Sequence, residues 1–215
     1  MMFWILWVIA IPWLLVLLPT KMIGKKYLKS VKNNASIFAC NHQSNNDAVI
    51  LKTRVNTKFK FMAKDSLFRK RFNNWFFRKI DMYPVQRGGN DIEAVKKTLT
   101  YLRNNQSIVI FPEGTRVKEG ESTEFKNGLV LFAIKSDCYV IPAVFRKKPK
   151  FFRLNTLVIG KPFKFSEYAE FQNVKPTKDI LQNASDMLSS KMNELKVVNL
   201  KEYKKEIKEE FKKKK

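Results

Sequence analysis

The chain is poor in histidine and cysteine, with one His and two Cys in 215 residues. His42 is the lone imidazole, and Cys40 and Cys138 lack metal-ligand spacing, so a zinc site is not expected. A disulfide scaffold would need more cysteine, and a reducing, cytosol-facing compartment is the simplest expectation. Acidic residues are also scarce, 19 against 42 lysines and arginines, and the resulting formal charge of +23 attracts polyanions of any kind. Nucleic acid, anionic lipid headgroups and an acidic carrier protein all fit that field. Charge is missing altogether from Met1 to Leu18, which as a helix would be roughly 27 Å long, marginal for crossing a bilayer. The basic start and small-residue cleavage site of a secretory signal are both missing, so an uncleaved anchor is expected.

What is present points to one globular unit. A composition of 45% hydrophobic and 28% charged residues, with eighteen Phe and four Trp, is ample for a core. After the anchor, Lys21, Lys25, Lys26, Lys29 and Lys32 alternate with Met22, Ile23, Tyr27, Leu28 and Val31, a pattern that predicts a basic interfacial helix. The positive-inside tendency places it, and the domain after it, on the cytoplasmic side. The chain therefore divides into residues 1–33 as membrane anchor and basic helix, 34–196 as the globular domain, and 197–215 as a basic C-terminal helix or tail.

Short β-prone runs alternate with helical patterns through the domain. Strands are predicted at Ser36 to Ala39, Phe59 to Ala63, Met82 to Gln86, Ser107 to Phe111, Tyr139 to Phe145 and Thr156 to Gly160. Helices are predicted at Asp91 to Asn104, Gly128 to Lys135 and Lys178 to about Lys196. The expected fold class is α/β, a central mostly parallel or mixed sheet flanked by helices, with an N-terminal membrane-anchoring helical segment.

Polar residues with chemical potential gather at strand ends. His42 follows the apolar run Ser36-Ile37-Phe38-Ala39-Cys40, and Asp47, five residues on, can hold the imidazole through a turn that leads into a helix. Alone, the pair reads better as a hydrogen-bonded structural histidine. Ile110-Phe111-Pro112-Glu113-Gly114-Thr115-Arg116 closes another strand with a turn whose Arg116 can fork onto a phosphate. The plain alternative is a turn in which Arg and Glu pair with each other. Pro84-Val85-Gln86-Arg87-Gly88-Gly89 and Ala63-Lys64-Asp65-Ser66 repeat the design more loosely.

Taken together, Asn41-His42 with Asp47, Arg87, Phe111-Pro112-Glu113-Gly114-Thr115-Arg116 and Val140-Ile141-Pro142 stand in the order of four family motifs. The chain resembles the glycerolipid acyltransferases, specifically the 1-acyl-sn-glycerol-3-phosphate acyltransferases, over roughly residues 36 to 145. Phe125-Lys126-Asn127-Gly128 is similar to the segment between that family's third and fourth motifs. Tyr83-Pro84 before Arg87, and Val117 where family members often carry Ser, depart from the pattern.

The resemblance implies that His42 is a general base with Asp47 behind it. It also implies that Lys64, Arg87, Glu113, Gly114, Thr115 and Arg116 bind a phosphate-bearing acceptor. The implied reaction moves an acyl chain from a thioester, acyl-CoA or acyl carrier protein, to the sn-2 hydroxyl of 1-acyl-sn-glycerol 3-phosphate, giving phosphatidate with no metal or other cofactor. Membrane lipids, a lysophospholipid acceptor and an acidic donor are the expected partners; nucleic acid is not. Rival readings are an acyltransferase of the same fold acting on another lysolipid, and a membrane-tethered nucleic-acid-binding protein. Ser44 and Cys40 are set aside as covalent nucleophiles because no G-x-S-x-G pattern surrounds them.

Overall fold

The structure, a computed structural model, describes residues 12–55, 59–86, 91–118 and 124–213. Among the described residues seven strands form one sheet: β1 Thr20–Ile23, β2 Ser36–Cys40, β3 Lys60–Lys64, β4 Met82–Val85, β5 Ile108–Ile110, β6 Tyr139–Phe145 and β7 Asn155–Ile159. Their spatial order is β1-β7-β6-β2-β5-β3-β4. β2 to β6 all run one way. β7 lies antiparallel on β6, and β1 runs parallel to β7, which makes the sheet mixed.

Helices cover both faces, and this is why the central strands read as unbroken apolar runs. Every residue of β2 is buried. Ile37 and Ala39 join a cluster with Leu102, Leu129 and Leu188, from helices α4 (Ile92–Arg103), α5 (Gly128–Ser136) and α6 (Lys178–Val197). Phe38 and Cys40 point the other way, toward Tyr27, Ile50 and Ile207 of α1 (Lys25–Ser30), α2 (Asn45–Arg54) and α7 (Leu200–Lys213). Period-two alternation thus splits one strand between two cores.

The basic helix expected over Lys21 to Lys32 forms only from Lys25. Thr20–Ile23 is instead a strand, paired with Asn155 to Val158 of β7. A four-residue run of alternating character satisfies either period, and the free edge of β7 decides it. Gly24 then turns the chain: its φ is +84°, and a Cβ there would lie 2.1 Å from the Ile159 carbonyl oxygen, so only glycine fits. At the other terminus α7 docks on the domain. Ile207 is buried, Tyr203 Oη donates to the Ile159 carbonyl at 2.9 Å, and Tyr27 Oη donates to Glu210 at 2.8 Å.

α3 (Arg71–Lys79) buries none of its residues, and its apolar side chains were not singled out by the sequence pattern. Most of the expected anchor, residues 1–11, lies outside the described residues. Residues 12–17 are helical, and among the described residues no helix is long and apolar enough to cross a membrane.

Candidate active site

The site grows from the end of β2. Buried Asn41 closes the gap to β6, accepting from the Phe145 N–H at 2.7 Å and donating to the Phe145 carbonyl at 3.0 Å. His42 then leaves the carboxyl end of the sheet, where open α/β folds bind ligands. Its Nδ1 lies 2.9 Å from Asp47 Oδ2. The same oxygen accepts from the backbone N–H groups of Gln43 at 2.6 Å and Ser44 at 2.7 Å, and Oδ1 accepts from Ser44 Oγ at 2.9 Å.

This pattern explains the spacing of five. Ser44 is the N-cap of α2 and Asp47 its third helical residue, the position from which an acidic side chain reaches back to the cap's N–H. A carboxylate placed to cap the helix is thereby also placed against the histidine. Because donors from the chain crowd both Asp47 oxygens, the imidazole hydrogen belongs on Nδ1, leaving Nε2 with the free lone pair. The ring stacks on Phe111 at a centroid distance of 4.1 Å, and the His42 carbonyl accepts from the Val117 N–H at 2.8 Å.

A second turn follows β5. The Gly114 N–H closes onto the Phe111 carbonyl at 2.9 Å with φ +67°, and a Cβ on Gly114 would meet the side chain of Lys126 at 2.8 Å. Glu113 is only 7% exposed, and its Oε2 has no hydrogen-bond partner. Burial pushes its carboxyl up to about 7, with nearby Asp47 adding to the rise. The backbone N–H groups of Glu113 and His42 and the charge of Lys196 pull the other way. Arg116 does not reach back to Glu113; its Nη1 donates to Asn45 Oδ1 in the first turn of α2, at 3.1 Å.

The two turns enclose an open cavity of about 440 Å³ lined by Gln43, Ser44, Asn45, Asn46, Arg116, Val117, Lys118 and Lys148. Three cations and a helix N-terminus of ten residues converge there, an arrangement suited to a phosphate. Of the residues singled out in the sequence, His42, Asp47, Glu113, Gly114 and Arg116 come together, with exposed Thr115 between the last two. Lys64 ends β3 with its side chain exposed. β5 lies between β3 and β2, which sets Lys64 roughly 10 Å across the sheet from the histidine strand. Arg87 lies outside the described residues.

Sequence reasoning missed Lys118 and Lys148. Lys148 arrives from the loop between β6 and β7, a hundred positions downstream, and only tertiary structure could reveal it. Neither rejected nucleophile is poised. Cys40 is fully buried in the core beneath the site, and that burial holds its thiol well above the usual range. The Ser44 hydroxyl is committed to Asp47.

Comparison with known proteins gives a consistent set. The sequence model of the family described as Acyltransferase matches residues 20–146, from β1 to the end of β6. A 1-acyl-sn-glycerol-3-phosphate acyltransferase of Bacillus subtilis is 26% identical over 185 residues, covering 81% of this chain and 87% of that protein. A protein of the same description from Borreliella burgdorferi is 30% identical over 128 residues, 59% of this chain and 51% of that protein. In structure, the fold is shared with the 1-acyl-sn-glycerophosphate (LPA) acyltransferase, PlsC, of Thermotoga maritima. The TM-score is 0.64 at 23% identity, over 88% of this chain and 76% of that one.

Proposed function

This chain belongs to the Acyltransferase family, and from that premise we propose that it acylates the sn-2 hydroxyl of 1-acyl-sn-glycerol 3-phosphate to give phosphatidate. His42 Nε2 takes the hydroxyl proton, the oxygen attacks the carbonyl of a thioester donor, and the departing thiolate receives the proton from the imidazolium. Asp47 fixes the tautomer and stabilises the charge that forms on the ring. No acyl-enzyme intermediate is needed. Arg116, Lys118 and Lys148 hold the acceptor phosphate against the N-terminus of α2, with Lys64 further out along the same rim, and Arg87 is the further acceptor-binding residue that the family motif implies. A placed base contributes about 100-fold to 10,000-fold, and fixing the acceptor by its phosphate adds positional catalysis.

The observation that carries this reading is the His42–Asp47 couple standing at the edge of a cationic cavity. The acceptor is a membrane lipid, so the enzyme works at a membrane surface, on the cytoplasmic side favoured by the lysines after the apolar N-terminal segment. The donor, acyl-CoA or acyl carrier protein, is an anion drawn by the same positive field. That the relatives are 1-acyl-sn-glycerol-3-phosphate acyltransferases favours lysophosphatidate over another lysolipid, and a nucleic-acid-binding reading leaves the His42–Asp47 couple without a role.

The test offers wild type and His42→Ala a panel of lysolipids with both kinds of thioester. Phosphatidate formed from lysophosphatidate by wild type alone is expected. Equal product from both proteins would sink the mechanism, and preferential turnover of another lysolipid would overturn the acceptor.

A further inference from the structure

Exposed apolar side chains concentrate on one rim of the sheet. Because β1 and β7 oppose the other five strands, the starts of β1 and β7 and the carboxyl ends of β2 to β6 share that rim, which is also the rim of His42. Trp13 and Val16 are exposed just before β1, and Phe72 in the first turn of α3. The loop between β6 and β7 goes furthest: Phe151, Phe152 and Leu154 are exposed within four positions, Phe152 at 78% and Leu154 at 69%. Lys147, Lys148, Lys150 and Arg153, all exposed, are interspersed with them.

This loop is strapped in place. Pro149 is buried and its carbonyl accepts from Asn46 Nδ2 at 3.2 Å. The buried Asn155 side chain accepts from the Lys150 N–H at 3.0 Å and donates to the carbonyls of Lys150 and Pro19, each at 3.2 Å. The Phe152 N–H donates to the Leu17 carbonyl at 2.8 Å. Phe152 sits at φ +56°, a left-handed conformation costly for a phenylalanine. A single exposed apolar residue needs no explanation, but three on a fixed backbone, among four cations, do. Aromatic and aliphatic side chains interleaved with lysine suit the boundary of an anionic bilayer. There the apolar parts enter the acyl edge and the cations meet lipid phosphates. The aliphatic Leu154 and Val16 offer nothing to a stacking base, which favours lipid over nucleic acid.

We propose that the 147–154 loop is a membrane foot. Phe152 and Leu154 enter an anionic leaflet, and the cavity beside Lys148 and His42 is thereby set at headgroup level. The proposal rests on the reading of the acceptor as a membrane lysophospholipid. Such a foot lets the acceptor present its phosphate and glycerol to the cavity while its acyl chain stays in the leaflet.

The experiment uses the full chain carrying Phe152→Cys labelled with an environment-sensitive fluorophore, the native cysteines being buried. A Gln106→Cys control is placed on the opposite rim, exposed just before the start of β5. With vesicles of phosphatidylcholine and phosphatidylglycerol, the label at 152 is expected to shift to the blue and be quenched by acyl-brominated lipid, while the label at 106 does neither. The unlabelled double variant F152S/L154S is expected to lose roughly tenfold of turnover on vesicle-borne lysophosphatidate, yet to match wild type on a short-chain, water-soluble lysophosphatidate. A label at 152 that stays in water, or that responds to a single-stranded oligonucleotide and not to vesicles, overturns the foot. Insertion of the label at 152, together with an unlabelled wild type that acylates neither form of the acceptor, would overturn the acceptor reading and leave the foot standing.

Discussion

Asp47 receives the His42 ring at 2.9 Å with the same oxygen that takes the Ser44 N–H at 2.7 Å, so the imidazole is fixed to the start of a helix. Asp47→Asn replaces an all-acceptor group with one that brings its own N–H donors among existing donors. Turnover is expected to fall about 100-fold or more with little change in acceptor KM. Stability should drop by about 1–3 kcal/mol because buried donors lose their partner. Steady-state kinetics and urea unfolding check the two effects separately.

Glu113 gives a pH dependence to stability. Its carboxyl is raised in the folded state from 4.5 to about 7 by burial. Below pH 4.5 both states hold the proton and nothing is lost. Between there and 7 the unfolded chain releases it first, so stability falls as pH rises, by about 3 kcal/mol when the folded group has also ionised. Glu113→Gln should flatten this slope, and unfolding of both proteins at pH 5 and pH 8 measures it.

Arg116 reaches the first turn of α2 at the lip of the cationic cavity, so its fork matters and not its charge alone. Arg116→Lys is expected to raise the KM for lysophosphatidate about tenfold with a smaller change in kcat. The same substitution should leave an acceptor without a phosphate unaffected, and kinetics on the matched pair of acceptors decides.

Cys40 stands two residues from the base yet is fully buried in the core. Cys40→Ala should keep turnover within about threefold of wild type, and an alkylating reagent should not react at pH 8 while the protein is folded, because burial holds the thiol protonated. Mass spectrometry before and after denaturation reads the labelling.

Gly24 joins β1 to α1 against the Ile159 carbonyl. Gly24→Ala combines a steric overlap with a left-handed backbone and should cost about 2 kcal/mol or more, lowering Tm by roughly 4 °C or more in a domain of this size. Thermal unfolding followed by circular dichroism is sufficient.

Local features were open to reading in the chain itself. The run Ser36 to Cys40 has the apolar continuity of a strand buried on both faces, and the structure buries all five residues. His42 with Asp47, and Glu113-Gly114-Thr115-Arg116, each act within one turn of chain, so their spacing alone already limited what they could do. β1 was not legible, since four residues of mixed character suit helix and strand alike until a partner edge is supplied.

The amino-acid sequence by itself determined the α/β alternation, the histidine–aspartate couple and the excess of positive charge, because these depend on period, capping and composition. Only the tertiary structure decided that Arg116 turns to Asn45, that Lys148 joins the cavity from a distant loop, and that Glu113 is buried without a partner for Oε2. Those outcomes follow from which strand ends the sheet brings side by side, a long-range property that no window of sequence contains.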